Sequence, residues 1–279
     1  MVVVRRWDTG VTLLEIPADT LVGGALARSV LLYADLQGAD LRHADLKGAD
    51  LCQADLRGAL FNDASLIGAD ITLSNVSGAD FSGCSLGDAR LQAVNLANPG
   101  RPETMFRGAD LTRVTLKNSN LSGAVFADAV LRRADLTRCR LRGADLSGAE
   151  LTGADLSFAD LSGATLRGAM LVGAILCGTN LEDADLRGAD LSLATLNGAQ
   201  LSGARLGDAV LSRTAISRCS GFHLTSGLRE LQRVEDTAVD IGTLRESIAH
   251  LPDDFLEQVG LNKAEIEALR ATFGEKDAS

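Results

Sequence analysis

Aromatic side chains are nearly missing from this chain. Its 279 residues include one Trp, one Tyr and eight Phe. A globular core of this length ordinarily uses more rings, so the interior must be narrow and tiled with Leu and Ala. Proline is rarer still, with four residues, which argues against disorder. The 29 glycines have no collagen spacing. No long apolar run is present, which excludes a membrane-spanning helix and sets membranes aside as a partner. The N-terminus, Met1 to Trp7, has no apolar signal core, so a cytoplasmic location is expected. Five Cys without a CxxC pair point to reduced thiols rather than a disulfide frame.

Chemistry-bearing clusters are equally sparse. The three histidines, His43, His223 and His250, have no partner at metal-ligand spacing, and no HExxH motif occurs. Gly-rich stretches such as Leu146-Ser147-Gly148-Ala149 lack the Gly-Lys-Ser/Thr of a phosphate loop. The many Asp residues recur evenly, with no cleft to set their pKa values apart, so they read as a solvated ladder rather than acid–base pairs. No catalytic residue, cofactor site or metal site is assigned, and the chain is not expected to be an enzyme.

What is present is a beat of five. Leu, or a close substitute, stands at almost every fifth position from Leu21 to Ile216. Period five fits neither a helix nor a strand, and short repeats take precedence in reading a fold. With the Leu at position i, position i−2 is small, as in Ala44, Ala49 and Ala54. Position i−1 is often Asp, as in Asp45, Asp50 and Asp55. Positions i+1 and i+2 are polar or Gly, and Gly at i+2 suits a corner. Two apolar residues in five can line an interior while three face out. Cys84, Cys139 and Cys219 occupy small i−2 slots, whereas Cys52 and Cys177 fall on outward ones.

The pattern closely resembles the pentapeptide-repeat family, A(D/N)LXX, over most of the chain. The resemblance implies an all-β solenoid, a right-handed quadrilateral β-helix with one pentapeptide per face and twenty residues per coil. Sixteen centres run from Leu21 to Leu96 and 23 from Phe106 to Ile216. That is about ten coils and a rod of roughly 45–50 Å at the strand spacing of about 4.8 Å.

Residues 97–105 interrupt the beat. They hold two of the four prolines, and Arg101 would fall at a buried centre if the count ran on. A loop with five extruded residues is therefore predicted. Central phenylalanines Phe61, Phe81, Phe106 and Phe126 are spaced 20, 25 and 20, so removing five residues places them in one column. Outward Asn75, Asn95 and Asn120 follow the same spacing.

The ends depart from the repeat. Residues 1–20 read as a hairpin turning at Asp8-Thr9-Gly10, and are expected to cap the first coil. The repeat is expected to end at residue 221, with a helical segment over 222–279. Helices are predicted from Gly227 to about Val234, from a capping box at Thr243-Leu244-Arg245-Glu246, from Pro252 to a stop at Gly260, and from a second box at Asn262-Lys263-Ala264-Glu265. Leu251 to Leu261 also looks like a segment that follows such repeats in some bacterial multidomain proteins. These helices are expected to cover the end of the rod, to form a homodimer or partner interface, or to do both.

Charge is banded. The formal net charge is −10. Residues 221–279 carry 12 acids against 6 bases, and residues 21–220 carry 22 acids against 19 bases. Within the repeats, residues 101–142 have 9 bases and 4 acids. This basic belt comprises Arg101, Arg107, Arg113, Lys117, Arg132, Arg133, Arg138, Arg140 and Arg142, with Met105 beside it. It either docks an acidic protein partner or balances neighbouring Asp columns. Direct nucleic-acid binding is not expected without a basic net charge. Outward apolar residues Leu60, Met105 and Val125 on the Phe-bearing face, and Val130 and Met170 on the next, would mark a contact surface if contiguous.

Two functions follow. The first is a rigid, non-catalytic scaffold or protein-interaction module. The second comes from the resemblance alone: some family members of the Qnr type resemble duplex DNA and bind DNA gyrase, a type II topoisomerase. That role needs a strongly negative rod, and here the acidic ladder is largely offset.

Overall fold

In the computed structural model, which describes residues 1–95 and 103–274, the chain is a β-helical solenoid. Each i−1 residue bridges in parallel to the i−1 residue one coil on. Ala25 pairs with Asp45, Val30 with Asp50, Asp35 with Asp55 and Asp40 with Leu60, and the four columns continue along the rod. Faces are numbered here by their central residues: face 1 holds Phe61, face 2 Leu66, face 3 Leu51 and face 4 Leu56.

The repeat is explained by where its five N–H groups go, since buried backbone donors must be paired. In Ala49-Asp50-Leu51-Cys52-Gln53, Asp50 donates down to Ser29 O (3.0 Å), while Leu51 and Gln53 donate up to Asp70 O (2.7 Å) and Thr72 O (3.0 Å). Ala49 closes a turn onto Leu46 O (3.0 Å). The fifth donor, Cys52 N–H, meets Asp50 Oδ1 at 3.1 Å. The same Asx bond recurs at Thr72, Ser82, Thr112, Ser147 and Ser192. Asp or Asn at i−1 is thus a backbone acceptor first and a surface charge second. The i+2 residue turns each corner with positive φ, as at His43 (φ 61) and Gly48 (φ 63).

Every central side chain from Leu31 to Leu191 among the described residues is buried, and the i−2 residues fill the space between. Phe61, Phe81, Phe106 and Phe126 form one stack, with centroids 4.7, 5.1 and 4.7 Å apart and rings within 4° of parallel. Where i−2 is polar, its side chain reaches the central carbonyl of the preceding coil. Ser74 Oγ donates to Leu51 O (2.7 Å), Thr179 Oγ1 to Leu156 O (2.8 Å) and Cys84 Sγ to Phe61 O (2.7 Å). These three i−2 groups are therefore buried with their polar atoms bonded.

Across the interruption the ladder resumes in register: Asp80 bridges Met105, and Asn75, Asn95 and Asn120 form one column. Residues 97–102 of the expected loop, Arg101 included, lie outside the described residues. Thr104 and Met105 are not loop. Thr104 is buried and its Oγ1 donates to Val76 O (3.0 Å), and Met105 sits in the bridge column. Counting the loop to residue 105 runs two residues too far, because Thr104, with its hydroxyl bonded, fills the i−2 slot that Ala usually takes.

At the N-terminus, β1 (Val2–Arg5) pairs antiparallel with β2 (Thr12–Ile16). This hairpin lies along a corner of the rod: Arg6 bridges Ala34, and the Trp7 indole Nε1 donates to Gln53 O (2.8 Å).

At the other end the ladder continues past 221. Ser220, Ser226 and Arg233 bridge Gln200, Arg205 and Val210, and the parallel strands β3 (Thr195–Asn197), β4 (Ala215–Ser217) and β5 (Ala238–Val239) form one sheet. The helix expected from Gly227 to Val234 is instead part of a further coil with longer corners. Its apolar spacing matches a helix, but the bridges of Ser226 and Arg233 hold it in the ladder, with Leu228 and Val234 buried. Three helices follow: α1 (Ile241–Ser247), α2 (Asp253–Gln258) and α3 (Lys263–Phe273). Asp240, not Thr243, caps α1, accepting from Thr243 N (2.9 Å) and also from Arg218 N (3.0 Å). Pro252 is the N-cap of α2 rather than its first helical residue. The Asn262–Glu265 capping box opens α3. Phe255 packs edge-on against Phe222 at 5.6 Å, which seats the helices on the last coil. No helix among the described residues is long and apolar enough to cross a membrane.

Candidate partner-binding surface

A solenoid spends its interior on packing, so recognition must come from the outward slots. The residues of the basic belt do not form one patch. Their registers place Arg107 on face 1, and Arg113, Arg132 and Arg133 on face 2 and its corner with face 3. Lys117 and Arg138 fall on face 3 and its far corner, and Arg140 and Arg142 on face 4. Arg101 lies outside the described residues.

Several belt residues are engaged by neighbouring coils. Arg113 binds Asp88 in a fork, with Nη2 to Oδ2 at 2.5 Å, Arg132 pairs with Glu150, and Arg107 stands 3.9 Å from Asp128. Lys117, Arg133, Arg138, Arg140 and Arg142 are exposed and have no ion pair among the described residues. Elsewhere the acidic columns are offset locally, as by Arg42 on Asp40, Arg57 on Asp55 and Arg187 on Asp185. The Arg187 hydrogen bond holds Asp185 below the usual carboxylate range, against burial.

The apolar slots read from sequence are not contiguous. Asp80 separates Leu60 from Met105, and Glu150 separates Val130 from Met170. Met105 and Val125 are neighbours, but Val125 is buried. They floor a groove of about 600 Å³ on face 1, bordered by Arg107 and Arg167 and open at the glycine corner Gly123–Gly143. Sequence reasoning passed over the larger exposed apolar residues Phe158, Ile175 and Leu193, which fall on face 3 and its two corners. The signal was available: each replaces a residue that the repeat makes polar or Gly.

No cluster of three or more His, Cys, Asp or Glu able to hold a metal is found among the described residues. Burial pushes the Cys84 and Cys139 thiols up to about 12 and Cys219 to about 11, so these sulfurs are protonated packing groups. Cys52 is raised to about 11 by burial and by Asp70. At the C-terminal end a cleft of about 490 Å³ is bordered by His250, Asp253, Asp254 and Arg270, where Arg270 bonds Asp253 at 2.6 Å.

The comparisons agree with this geometry. A family model described as pentapeptide repeats matches in eight copies, between residues 25 and 98 and between 109 and 213. No curated protein matches the chain. Among solved structures, HetL of the cyanobacterium Nostoc, a pentapeptide repeat protein involved in heterocyst differentiation regulation, is 31% identical. The match covers 78% of this chain and 92% of HetL, with a TM-score of 0.66. Rfr23 of the cyanobacterium Cyanothece is 29% identical over 39% of this chain and 82% of its own, with a TM-score of 0.29. QnrB1, a plasmid-mediated fluoroquinolone resistance protein, is 18% identical over 78% of this chain and 97% of its own, with a TM-score of 0.35. The chain belongs to the pentapeptide-repeat family, and its solenoid is that family's right-handed β-helix.

Proposed function

We propose that this protein is a rigid, non-catalytic scaffold that binds a protein partner through its outward slots. One observation carries the reading: the exposed cations Lys117, Arg133, Arg138, Arg140 and Arg142 have no carboxylate partner among the described residues, while most other cations of the rod pair with one, Arg42, Arg57 and Arg187 within their own pentapeptide and Arg90, Arg113 and Arg132 with a neighbouring coil. Such cations are free to meet an acidic surface. The likeness to HetL supports a regulatory role, since regulation without catalysis works through contacts. Five free thiols suit a reducing compartment, in keeping with a cytoplasmic protein.

The test is affinity capture from the source cell with the full chain and with a variant carrying Arg133→Glu, Arg138→Glu and Arg140→Glu. A partner retained by the first and lost by the second supports the proposal; identical captures remove it. The second reading, a DNA mimic that protects gyrase, is weakened by the offset acidic columns. Purified gyrase settles it: supercoiling unaffected by an excess of the chain, with no binding, excludes that role.

A further inference from the structure

Among the described residues, face 3 carries an arrangement that the other faces do not repeat. Six of its corner residues, Arg133, Arg138, Phe158, Leu193, Arg213 and Arg218, stand outward in left-handed conformations. Taken along the rod, they read cation, apolar, cation. Arg133 and Arg138 flank the face at one level. Phe158, Ile175 and Leu193 follow on the next three coils, exposed by 63%, 41% and 54%. Arg213 and Arg218 flank it again one coil further on, Arg213 lying 3.6 Å from Asp236. Between them the outward residues Gly173, Cys177, Gly178, Thr195, Asn197 and Gly198 are small and uncharged.

We propose that face 3 is a docking site for an amphipathic helix of a partner protein, apolar in its middle and acidic at both ends. This names the surface and the partner chemistry within the scaffold reading and rests on it. Four coil rises separate the two cationic levels, about 19 Å at the strand spacing. That matches a helix of about 13 residues. An extended peptide cannot add as a strand, because the backbone of the face is already bonded along the rod axis, as in Leu176 N–H to Thr195 O (2.8 Å) and Ile175 N–H to Ala154 O (2.9 Å). Apolar side chains of the helix cover Phe158, Ile175 and Leu193, and carboxylates near its ends meet Arg138, Arg133 and Arg218. Acidic ends are required by charge: Asp135 and Asp155 already accept backbone N–H groups from Thr137 and Ser157, Asp236 pairs with Arg213, and Asp240 accepts the N–H groups of Arg218 and Thr243, so the Arg133, Arg138 and Arg218 guanidinium groups have no ion pair among the described residues.

The experiment pans a displayed library of random peptides of about 15 residues, long enough for a helix across the site, on the full-length chain. Individual winners are then measured by fluorescence anisotropy. Expected winners carry Asp or Glu near both ends and apolar residues at helical spacing. They lose about tenfold or more in affinity, or about 1.4 kcal/mol, on the pair Phe158→Ser with Leu193→Ser and on Arg138→Glu. They are unaffected by Arg142→Glu on face 4, and weaken with salt. All four changes are at exposed positions, and unchanged melting verifies folding. Winners without acidic ends, winners insensitive to the face 3 variants, or no winners at all overturn the proposal. A 20-base-pair DNA duplex that displaces the winners also overturns it, in favour of nucleic acid. A protein captured from cells that depends on Arg140 but not on Phe158 refutes face 3 and leaves the scaffold reading standing.

Discussion

The Arg138 guanidinium lies 5.6 Å from the centre of the Phe158 ring one coil above it, and that ring lies against Gly178 one coil further on. A Cβ on Gly178 would stand 2.8 Å from Phe158 Cδ1 and Cε1, and Gly178 has φ +63. Gly178→Ala therefore meets two costs, left-handed strain of about 1–2 kcal/mol and displacement of the ring. Thermal melting of Gly178→Ala should fall by a few degrees. In Phe158→Ala with Gly178→Ala the steric part disappears, so the pair should melt higher than the sum of the single losses.

The phenylalanine column gives a second expectation. Its rings stack within 4° of parallel, and Phe81 and Phe106 are neighbours in the stack although 25 residues apart. Phe106→Ala should cost about 3–5 kcal/mol, whereas Phe106→Leu, the residue used elsewhere on face 1, should cost under about 1.5 kcal/mol. Phe81→Leu with Phe106→Leu should show a coupling of about 0.5–1.5 kcal/mol. Additive losses in denaturant unfolding would mean that the rings act only through their volume.

Much of this was legible because the repeat is a local rule with a local cause. Asp50 serves the N–H of Cys52 two residues away, and Leu51 is buried whichever coil it belongs to. The phenylalanine and asparagine spacings are both 20 and 25, and those spacings coincide with single columns in the structure. What escaped the sequence depends on neighbours twenty residues apart. Thr104 is a small residue only because its hydroxyl has the Val76 carbonyl to bond. The irregular coil through Ser226, Arg233 and Val239 keeps its bridges while its corners lengthen, so no fixed period survives. The belt looked like one surface because it is contiguous in sequence, yet five residues advance the chain a full face.

Stability should fall at both ends of the pH scale, for opposite reasons. Asp185 is lowered chiefly by the hydrogen bond from Arg187, and Asp40 likewise by Arg42. A depressed folded value stabilises above the unfolded value of about 3.9 and is lost as pH falls through the folded one. Melting should be flat near neutrality and drop below about pH 4, less steeply in Arg187→Gln. The buried Cys84 and Cys139 thiols are raised from 9.0 to about 12 by burial. A raised folded value stabilises below the unfolded value and is lost as pH rises through the folded one. The decline should begin above pH 9 and shrink in Cys84→Ala with Cys139→Ala, since Ala is the ordinary occupant of that slot. An unchanged alkaline decline would assign it to other groups.

The helices and the rod should separate under mutation. Phe255 is fully buried and meets Phe222 edge-on at 5.6 Å, while Asp240 ties α1 to the Arg218 N–H. Phe255→Ala removes the main apolar anchor of α2, a loss of about 3–5 kcal/mol. The rod draws its stability from contacts between adjacent coils, so the main melting transition should persist. Helical circular dichroism should fall, and limited proteolysis should cut after residue 240. The same variant tests the homodimer. Light scattering that gives a dimer for the native chain and a monomer for Phe255→Ala assigns dimerisation to the helices. A dimer in both assigns it to the rod, and a monomer in both leaves the helices as the cover of its last coil.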